Sequence, residues 1–465
     1  MTKNHIYLIA LLALLSAGTV RAQAPAATPP TRIEPARIEG ATAGGLRWLA
    51  EHQNREGDDA GAWPVNNANY RPAIASLAGL AFLSNGHLPG TNTPYARTVA
   101  AALKYVAKSV TSDGYAGQGD KSGMYIHAIN SLFVLSCYGM QSDAALDPEL
   151  ANWCRRSIDV ILRAQQVSKS FTERGGWRYE PFLDQSDVSV TCWQLLVLHS
   201  ARQAGFEVEQ PVFNAALAYL NRAYVPLKGS VEKNEPAAGG YLYRPGFTQE
   251  PERPATALVL FIHSLFDAAN EQRNQAALTY LRRYPLTWDG SQYGGYFYFS
   301  GFYMMQGMFQ IGGAEWASFG PRMATLLLDH QSGDGSWPYP PNSLREDLQT
   351  TGPAYPVAMA VLMLSLDKQY LPMYQRQRRL YERTAATAAA EAPAATATTP
   401  APPPVQPPVP KIPIPLPTTP DPTPVPPAAP EVPVVHEEPR GNDNQGGEGE
   451  EGEEQNKRAI GRPLF

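Results

Sequence analysis

A short motif that recurs about every fifty residues constrains this chain more than any other feature, since such a period is typical of repeat architectures. Each copy places a helical segment before a glycine-containing loop that ends in an aromatic residue, and an alanine-rich apolar segment after it. Six such loops occur, and the aromatic residues that end them are Trp63, Tyr115, Trp177, Tyr241, Tyr296 and Trp337. The sequence therefore predicts six copies of one helix–loop–helix unit.

Both helical segments of a unit have apolar residues at the spacing of a helix face. The segments after the loops are apolar nearly all round, as buried helices are, and cover residues 73–83, 126–135, 190–201, 255–266, 304–311 and 355–366. The segments before the loops, such as 100–107 and 215–219, carry polar residues on one face. Two concentric rings of six helices satisfy both patterns. We therefore predict an all-α fold, an (α/α)6 toroid.

Three units also share a glutamine and a tryptophan. The glutamines stand where the outer helices end, and we expect their side chains to bond backbone groups left unpaired there: Gln53, Gln166 and Gln331. The tryptophans are expected to pack over the loops: Trp63, Trp177 and Trp337. The interpretation is a structural staple, not a binding site.

The two ends of the chain differ in composition from the repeats. Residues 1–24 read as a signal peptide, with Lys3, a short apolar stretch at 6–15 and small residues near the cleavage point, which predicts a periplasmic or extracellular protein. A linker at 25–40 precedes the toroid at 41–384. Residues 385–440 are rich in proline and 441–465 are acidic, so we predict disorder in both.

Charge and cysteine content exclude some classes of function. The net charge is −5 and no basic cluster occurs, which argues against a nucleic-acid partner. The three cysteines, Cys137, Cys154 and Cys192, are too few and too uneven for a disulfide framework. One disulfide or three buried thiols remain as alternatives.

The repeat resembles that of a known superfamily. Leu327, Gln331, Gly335 and Trp337 stand at the spacing L-x3-Q-x3-G-x-W, which resembles the QW motif of squalene-hopene and oxidosqualene cyclases. Other segments are similar to secreted bacterial prenyltransferase/squalene-oxidase-repeat proteins, namely residues 125–127, 138–140, 175–179, 189–194 and 370–374. The resemblance covers residues 41–376. It implies the α/α toroid of terpenoid cyclases and protein prenyltransferases, with a cavity mouth where the inner helices begin.

The catalytic groups of both relatives are missing from this sequence. The D-x-D-D acid of the cyclases does not occur, because Asp184 and Asp187 have a different spacing. Residues 187–194 resemble the zinc segment D-x-C-x-x-x-W-Q of prenyltransferases, but Ser189 occupies the thiolate position and is a poor zinc ligand. We therefore predict neither a metal nor a cofactor.

The resemblance implies that Asp187 and Asp184 lie at the cavity mouth. Either one of the two is a catalytic acid facing the cavity, or Asp184 or Ser186 caps the helix and Asp187 complements its dipole. The further ligand-binding candidates are Trp177, Tyr179, Trp193, His127, Tyr296, Tyr298 and Asp347. Of these, His127 on an apolar helix also suits a hydrogen-bonded core histidine.

Three hypotheses for the function follow. The first is an exported binding module for an apolar or isoprenoid-like small molecule, whose tail contacts an envelope or cell-wall component. The alternative is a terpene-cyclase-like enzyme with Asp187 or Asp184 as a non-standard acid. The second alternative is a glycan-active (α/α)6 enzyme that uses paired carboxylates. The sequence leaves open whether the protein is an enzyme.

Overall fold

The computed structural model describes residues 33–119, 121–140, 147–227, 237–268, 270–288, 296–341, 343 and 350–375. In chain order its helices are α1 (Pro35–Glu51), α2 (Arg71–Leu83), α3 (Ala96–Lys108), α4 (Gly123–Gly139), α5 (Pro148–Gln166), α6 (Val188–Gln203), α7 (Gln210–Arg222), α8 (Arg253–Leu265), α9 (Glu271–Arg283), α10 (Phe297–Ile311), α11 (Gly313–Asp329) and α12 (Ala354–Leu364). The predicted signal peptide, proline-rich segment and acidic tail lie outside the described residues. No described helix is long and apolar enough to cross a membrane.

The even-numbered helices form a closed ring. Each packs against the next even-numbered helix, and α12 packs back against α2. The odd-numbered helices lie outside, and the first of them, α1, contacts both α12 and α11. The predicted (α/α)6 toroid is confirmed.

Burial explains why the two kinds of helix occupy different rings. The inner helix α4 is buried from Gly123 to Tyr138. The outer helix α3 buries only Ala96, Thr98, Val99, Ala102 and Val106, and exposes its other face. A helix that is apolar all round has to be covered on all sides, whereas an amphipathic helix can cover it and face water.

Each loop tryptophan is fixed under its own outer helix. The indole nitrogens of Trp63, Trp177 and Trp337 donate to the carbonyls of Leu49, Ile161 and Leu327, each at 2.7 Å. The three rings are at most 2% exposed. They therefore belong to the core of each unit, as the staple interpretation expects.

The glutamines connect neighbouring units. The Gln53 amide donates to Gly61 O in its own loop and to Thr98 O in the first turn of the next outer helix, both at 2.9 Å. The Gln331 amide bonds Gly335 O at 3.0 Å and Ala41 O at 2.9 Å, which joins the last loop to the first helix.

In the third unit the prediction was wrong by one residue. Gln165, not Gln166, donates to Gly175 O and to Val212 O, at 2.9 and 3.0 Å. Helix α5 continues through Gln166, whose side chain is exposed. The side chain that faces the loop is therefore set by helix phase and not by the last position of the helix.

The loop glycines are required by backbone conformation and by space. Gly61, Gly114, Gly175 and Gly335 have φ between +93° and +98°. A Cβ on Gly175 would lie 2.2 Å from the carbonyl oxygen of Ala215 in the next outer helix. Only glycine meets both conditions without strain.

One loop forms a strand. Gly239–Tyr241 (β2) pairs antiparallel with Tyr224–Pro226 (β1), and Tyr241 is opposite Tyr224. This two-stranded ribbon is an addition to the predicted all-helical fold and replaces the simple loop expected at Tyr241.

The ends of the ring differ. The inner helices begin at the end that carries the Gly-aromatic loops, which we call the mouth. At the other end residues 371–375, the plug segment, pack against α6 and α4. His199 Nε2 donates to Gln375 O at 2.6 Å and Gln310 Nε2 to Tyr374 O at 2.7 Å. The side chains of Leu371, Met373 and Tyr374 are buried, so this segment covers the end opposite the mouth.

Candidate functional site

Asp187 is buried at the mouth and both of its carboxylate oxygens accept hydrogen bonds. Oδ1 caps α6 by accepting from Val190 N–H at 2.8 Å, and Oδ2 accepts from Arg178 Nη1 at 2.8 Å. The side chain of Asp187 is 0% exposed and that of Arg178 is 15% exposed. Asp187, and not Asp184 or Ser186 as predicted, therefore caps the helix, and its carboxylate also forms a buried ion pair.

Two tyrosines complete this cluster. The Arg178 guanidinium lies 3.9 Å from the ring centre of Tyr179 and 5.5 Å from that of Tyr243. Arg178 also donates to Tyr243 Oη at 2.7 Å, and the hydroxyls of Tyr179 and Tyr243 bond each other. Tyr125 lies behind them, with its ring centre 6.1 Å from that of Tyr179. The cluster connects three consecutive units, which contribute Tyr125, Asp187 and Tyr243.

Burial governs the protonation of this cluster. It raises the pKa of Asp187 to about 6, while the adjacent Arg178 opposes that rise. Burial also raises the pKa of the Tyr243 hydroxyl, and the charge of Asp187 adds to that effect. At neutral pH the site therefore holds an ionised Asp187 paired with Arg178, and protonated tyrosines.

Tyrosine recurs two residues after the loop aromatic in four consecutive units, as Tyr179, Tyr243, Tyr298 and Tyr339. The backbone of this position has a repeated role: Tyr179 O accepts from Met124 N–H at 2.7 Å and Tyr243 O from Val188 N–H at 3.0 Å, at the starts of two inner helices. Sequence reasoning missed Tyr243, Tyr339 and Arg178. The shared offset from Trp177, Tyr241 and Trp337 would have identified the two tyrosines.

Glu173 holds the loops around the cluster together. Its carboxylate accepts from Ser186 N–H at 2.7 Å and pairs with Arg244 at 2.7 Å. Glu173 is 5% exposed and Arg244 comes from the neighbouring unit. Glu173 thus connects Ser186, the residue before Asp187, to its own loop and to the neighbouring unit.

His127 is a core histidine. Its Nδ1 accepts from Ala116 N–H and its Nε2 donates to Ser157 O, each at 3.1 Å. Burial lowers its pKa to about 4, so the ring is neutral at physiological pH. Both nitrogens are occupied by backbone groups, which leaves none for a ligand.

The centre of the ring contains packed aromatic side chains. Trp193 of α6 and Tyr303 of α10 belong to inner helices that are not neighbours in the ring, yet their ring centres are 5.9 Å apart, edge to face. Both side chains are at most 2% exposed. Trp193, a ligand-binding candidate, therefore contributes to a filled centre.

The other candidates do not join the Asp187 cluster. Asp184 is exposed in the loop before α6. Tyr298 is buried and donates to Pro338 O at 2.7 Å, and Tyr296 packs on Phe299 with ring centres 6.5 Å apart. Trp177 faces its outer helix. Asp347 lies outside the described residues.

A concave region separate from the Asp187 cluster lies at the plug end, between α10, α11 and α12. This apolar cleft has a volume of about 250 Å³. Its side chains come from all three helices, the start of α1 and the turn after α12, and include Ile33, Ile38, Met305, Trp316, Met363 and Leu364. Among the described residues that line it, Asp367 is the one that carries a charge.

Neither a metal site nor a disulfide is found among the described residues. No group of three histidine, cysteine or carboxylate side chains is arranged there to hold an ion. Cys137, Cys154 and Cys192 are buried free thiols.

The chain matches no protein-family model and no curated protein. Among solved structures it is similar to the type II terpene cyclase MstE from Scytonema, with 14% identity, 73% of this chain and 100% of that chain covered, and a TM-score of 0.44. It is also similar to an α-1,6-mannanase of Salegentibacter (10% identity, 70% and 98% covered, TM-score 0.46) and to a possible GH105 member from Salmonella enterica (12%, 73% and 95%, 0.44). These likenesses carry no functional argument, and the closed ring defines the class of fold, an α/α toroid.

Proposed function

We propose that this protein is a non-catalytic binding module, located outside the cytoplasm, for an apolar or isoprenoid-like ligand. The observation that carries the proposal is the hydrogen bonding of the Asp187 carboxylate. Protonation of an alkene needs a carboxylic acid whose proton can reach the substrate, whereas both oxygens of the buried Asp187 carboxylate accept hydrogen bonds, from Val190 N–H and from Arg178 Nη1. A carboxylate whose two oxygens are held by these donors is not placed to give a proton.

The two enzymatic alternatives have less support. Asp184 is exposed to water in the loop before α6, whereas a cyclase acid faces a dry cavity. Paired-carboxylate hydrolysis needs two carboxyl groups at about 5–10 Å across the scissile bond. Asp187 pairs with Arg178, and Glu173 pairs with Arg244 and accepts from Ser186 N–H, so both of these buried carboxylates are held in structural contacts. A binding role needs neither arrangement.

The proposal is tested by purifying the full chain and analysing gently extracted material by mass spectrometry. We expect an apolar molecule to copurify in a stoichiometric amount. In parallel, incubation with squalene should give no cyclised product, because neither Asp187 nor Asp184 is placed to give a proton to an alkene.

Two matched variants separate a structural from a catalytic role. Asp187→Asn should lower the free energy of unfolding by about 3 kcal/mol, because it leaves Arg178 without a charge partner, and Asp184→Asn should change it little. Both should retain the copurified molecule if they fold. A cyclised product that disappears in Asp187→Asn would show that the protein is an enzyme and would refute the proposal.

A further inference from the structure

The apolar cleft at the plug end has the shape of a narrow site. One wall of the cleft is a face of α11 whose small side chains project little into the space, namely Ala317, Gly320, Pro321 and Ala324. The lining also includes the flexible side chains of Met305 and Met363, which adapt to irregular ligands. A volume of about 250 Å³ is below the roughly 300–1,000 Å³ of a drug-sized pocket, and so fits one slender chain.

The residues that line the cleft carry two acceptors, and the indole N–H of Trp316 is a donor among them. Pro321 lies inside α11 and has no N–H to donate to the carbonyl of Ala317 one turn earlier, and both residues line the cleft. The second acceptor is the carboxylate of Asp367, which is exposed at the rim. A ligand head placed beside Asp367 has to donate hydrogen bonds, and an anionic head there would be repelled.

The segment that directly precedes the cleft in the chain does not suit it as an occupant. Residues 24–32, which precede the lining residue Ile33, consist of alanine, proline, threonine and one arginine. None of these side chains is a large apolar group that would fill a space between methionine, tryptophan and leucine side chains. A small molecule therefore suits the cleft better than this segment does.

We propose that the cleft binds a single hydrocarbon chain, of the acyl or isoprenoid type, that carries a hydroxyl or ammonium head and not a phosphate or carboxylate. This inference rests on the proposed function and identifies its site and ligand class. The ligand lies outside the ring, between inner and outer helices, and the filled centre is not required to open.

The test measures displacement of the fluorescent apolar probe N-phenyl-1-naphthylamine from the full chain by farnesol, dodecylamine and farnesyl diphosphate. Farnesol and dodecylamine should displace the probe at concentrations about tenfold lower than farnesyl diphosphate does. Ala317→Trp, at an exposed position of α11, should weaken probe binding about tenfold or more by filling the cleft. The matched control Ala100→Trp, at an exposed position of α3, should leave binding unchanged.

The head-group selectivity is tested separately. Asp367→Asn should reduce the preference for dodecylamine over farnesyl diphosphate, and Asp184→Asn should not. Equal binding by Ala317→Trp and Ala100→Trp, with a copurified ligand still present, would overturn the cleft as the site and leave the binding function intact. Absence of both probe binding and copurified ligand would refute the binding function itself. A dimer in solution that Ala317→Trp dissociates, without probe binding, would identify a second copy of the chain as the occupant and also overturn the proposal.

Discussion

At three positions, which we call glutamine corners, the side-chain amide of one glutamine links two units. Gln53, Gln165 and Gln331 each donate to the glycine carbonyl of their own loop and to a carbonyl in the first half of an adjoining outer helix. Removing the amide leaves both carbonyls without that donor. Unsatisfied buried acceptors cost about 1–3 kcal/mol, so these corners contribute to stability out of proportion to their size.

Gln165→Leu is therefore expected to lower the free energy of unfolding by about 2 kcal/mol, measured by urea denaturation. Gln166→Leu changes an exposed neighbour of the same type and should have an effect within about 0.5 kcal/mol. Equal effects of the two substitutions would contradict the assignment of the corner to Gln165.

Residue-level features of the site were predictable only in part. A cap before this apolar helical run follows from the sequence, but Asp187 provides it and not the expected Asp184 or Ser186. The partnership with Arg178 and Tyr243 does not follow, because Tyr243 belongs to the next unit and no local pattern sets its distance from Asp187. The glutamine of the third unit was misplaced because helix phase over α5, and not proximity to the loop, decides which side chain faces inward.

At the scale of elements, close packing depends on small residues where helices approach. Gly45 of α1 has this role at the closure of the ring, because a Cβ there would lie 2.7 Å from Val361 and 2.8 Å from Trp337. The inner and outer roles of helices were predictable from their periodicity. The plug segment and the β1–β2 ribbon were not, since both depend on contacts with distant units.

Gly45→Leu should destabilise the protein by about 1–3 kcal/mol, because overpacking forces α1 away from α12. Gly40→Leu is the matched control on the same helix, since nothing lies within 4 Å of a Cβ there. Hydrogen exchange should show faster opening of α1 in the first variant alone. Unchanged exchange in Gly45→Leu would contradict the tight approach of α1 to the last unit.

At the scale of the whole molecule, buried histidines set the response to acid. Burial lowers the pKa of His127, His199 and His263 to about 4. Between pH 6.5 and 4 the unfolded chain binds protons on these residues that the folded chain does not, so stability falls as pH falls. Asp187 acts in the opposite direction, because its folded pKa of about 6 is above the usual 3.8. The effect of the three histidines exceeds the opposing effect of Asp187, so the protein should lose stability in acid.

His263→Leu should reduce the number of protons taken up on unfolding in acid by about one. The pH dependence of the free energy of unfolding should therefore fall by at most roughly 1.4 kcal/mol per pH unit. Neither ring nitrogen of His263 has a hydrogen-bond partner among the described residues, so leucine removes no known bond. Thermal unfolding between pH 7 and 4.5 measures the effect. Parallel curves for His263→Leu and the unsubstituted chain would contradict it.

The contact of α12 with α2 makes every unit an interior unit. Open solenoids need modified terminal repeats to shield an apolar edge from water, whereas here the first and last units shield each other. The order in which the units follow one another along the chain is therefore separable from the architecture. New termini made between two other units, with the old ones joined by a linker, would leave the same set of neighbours in place.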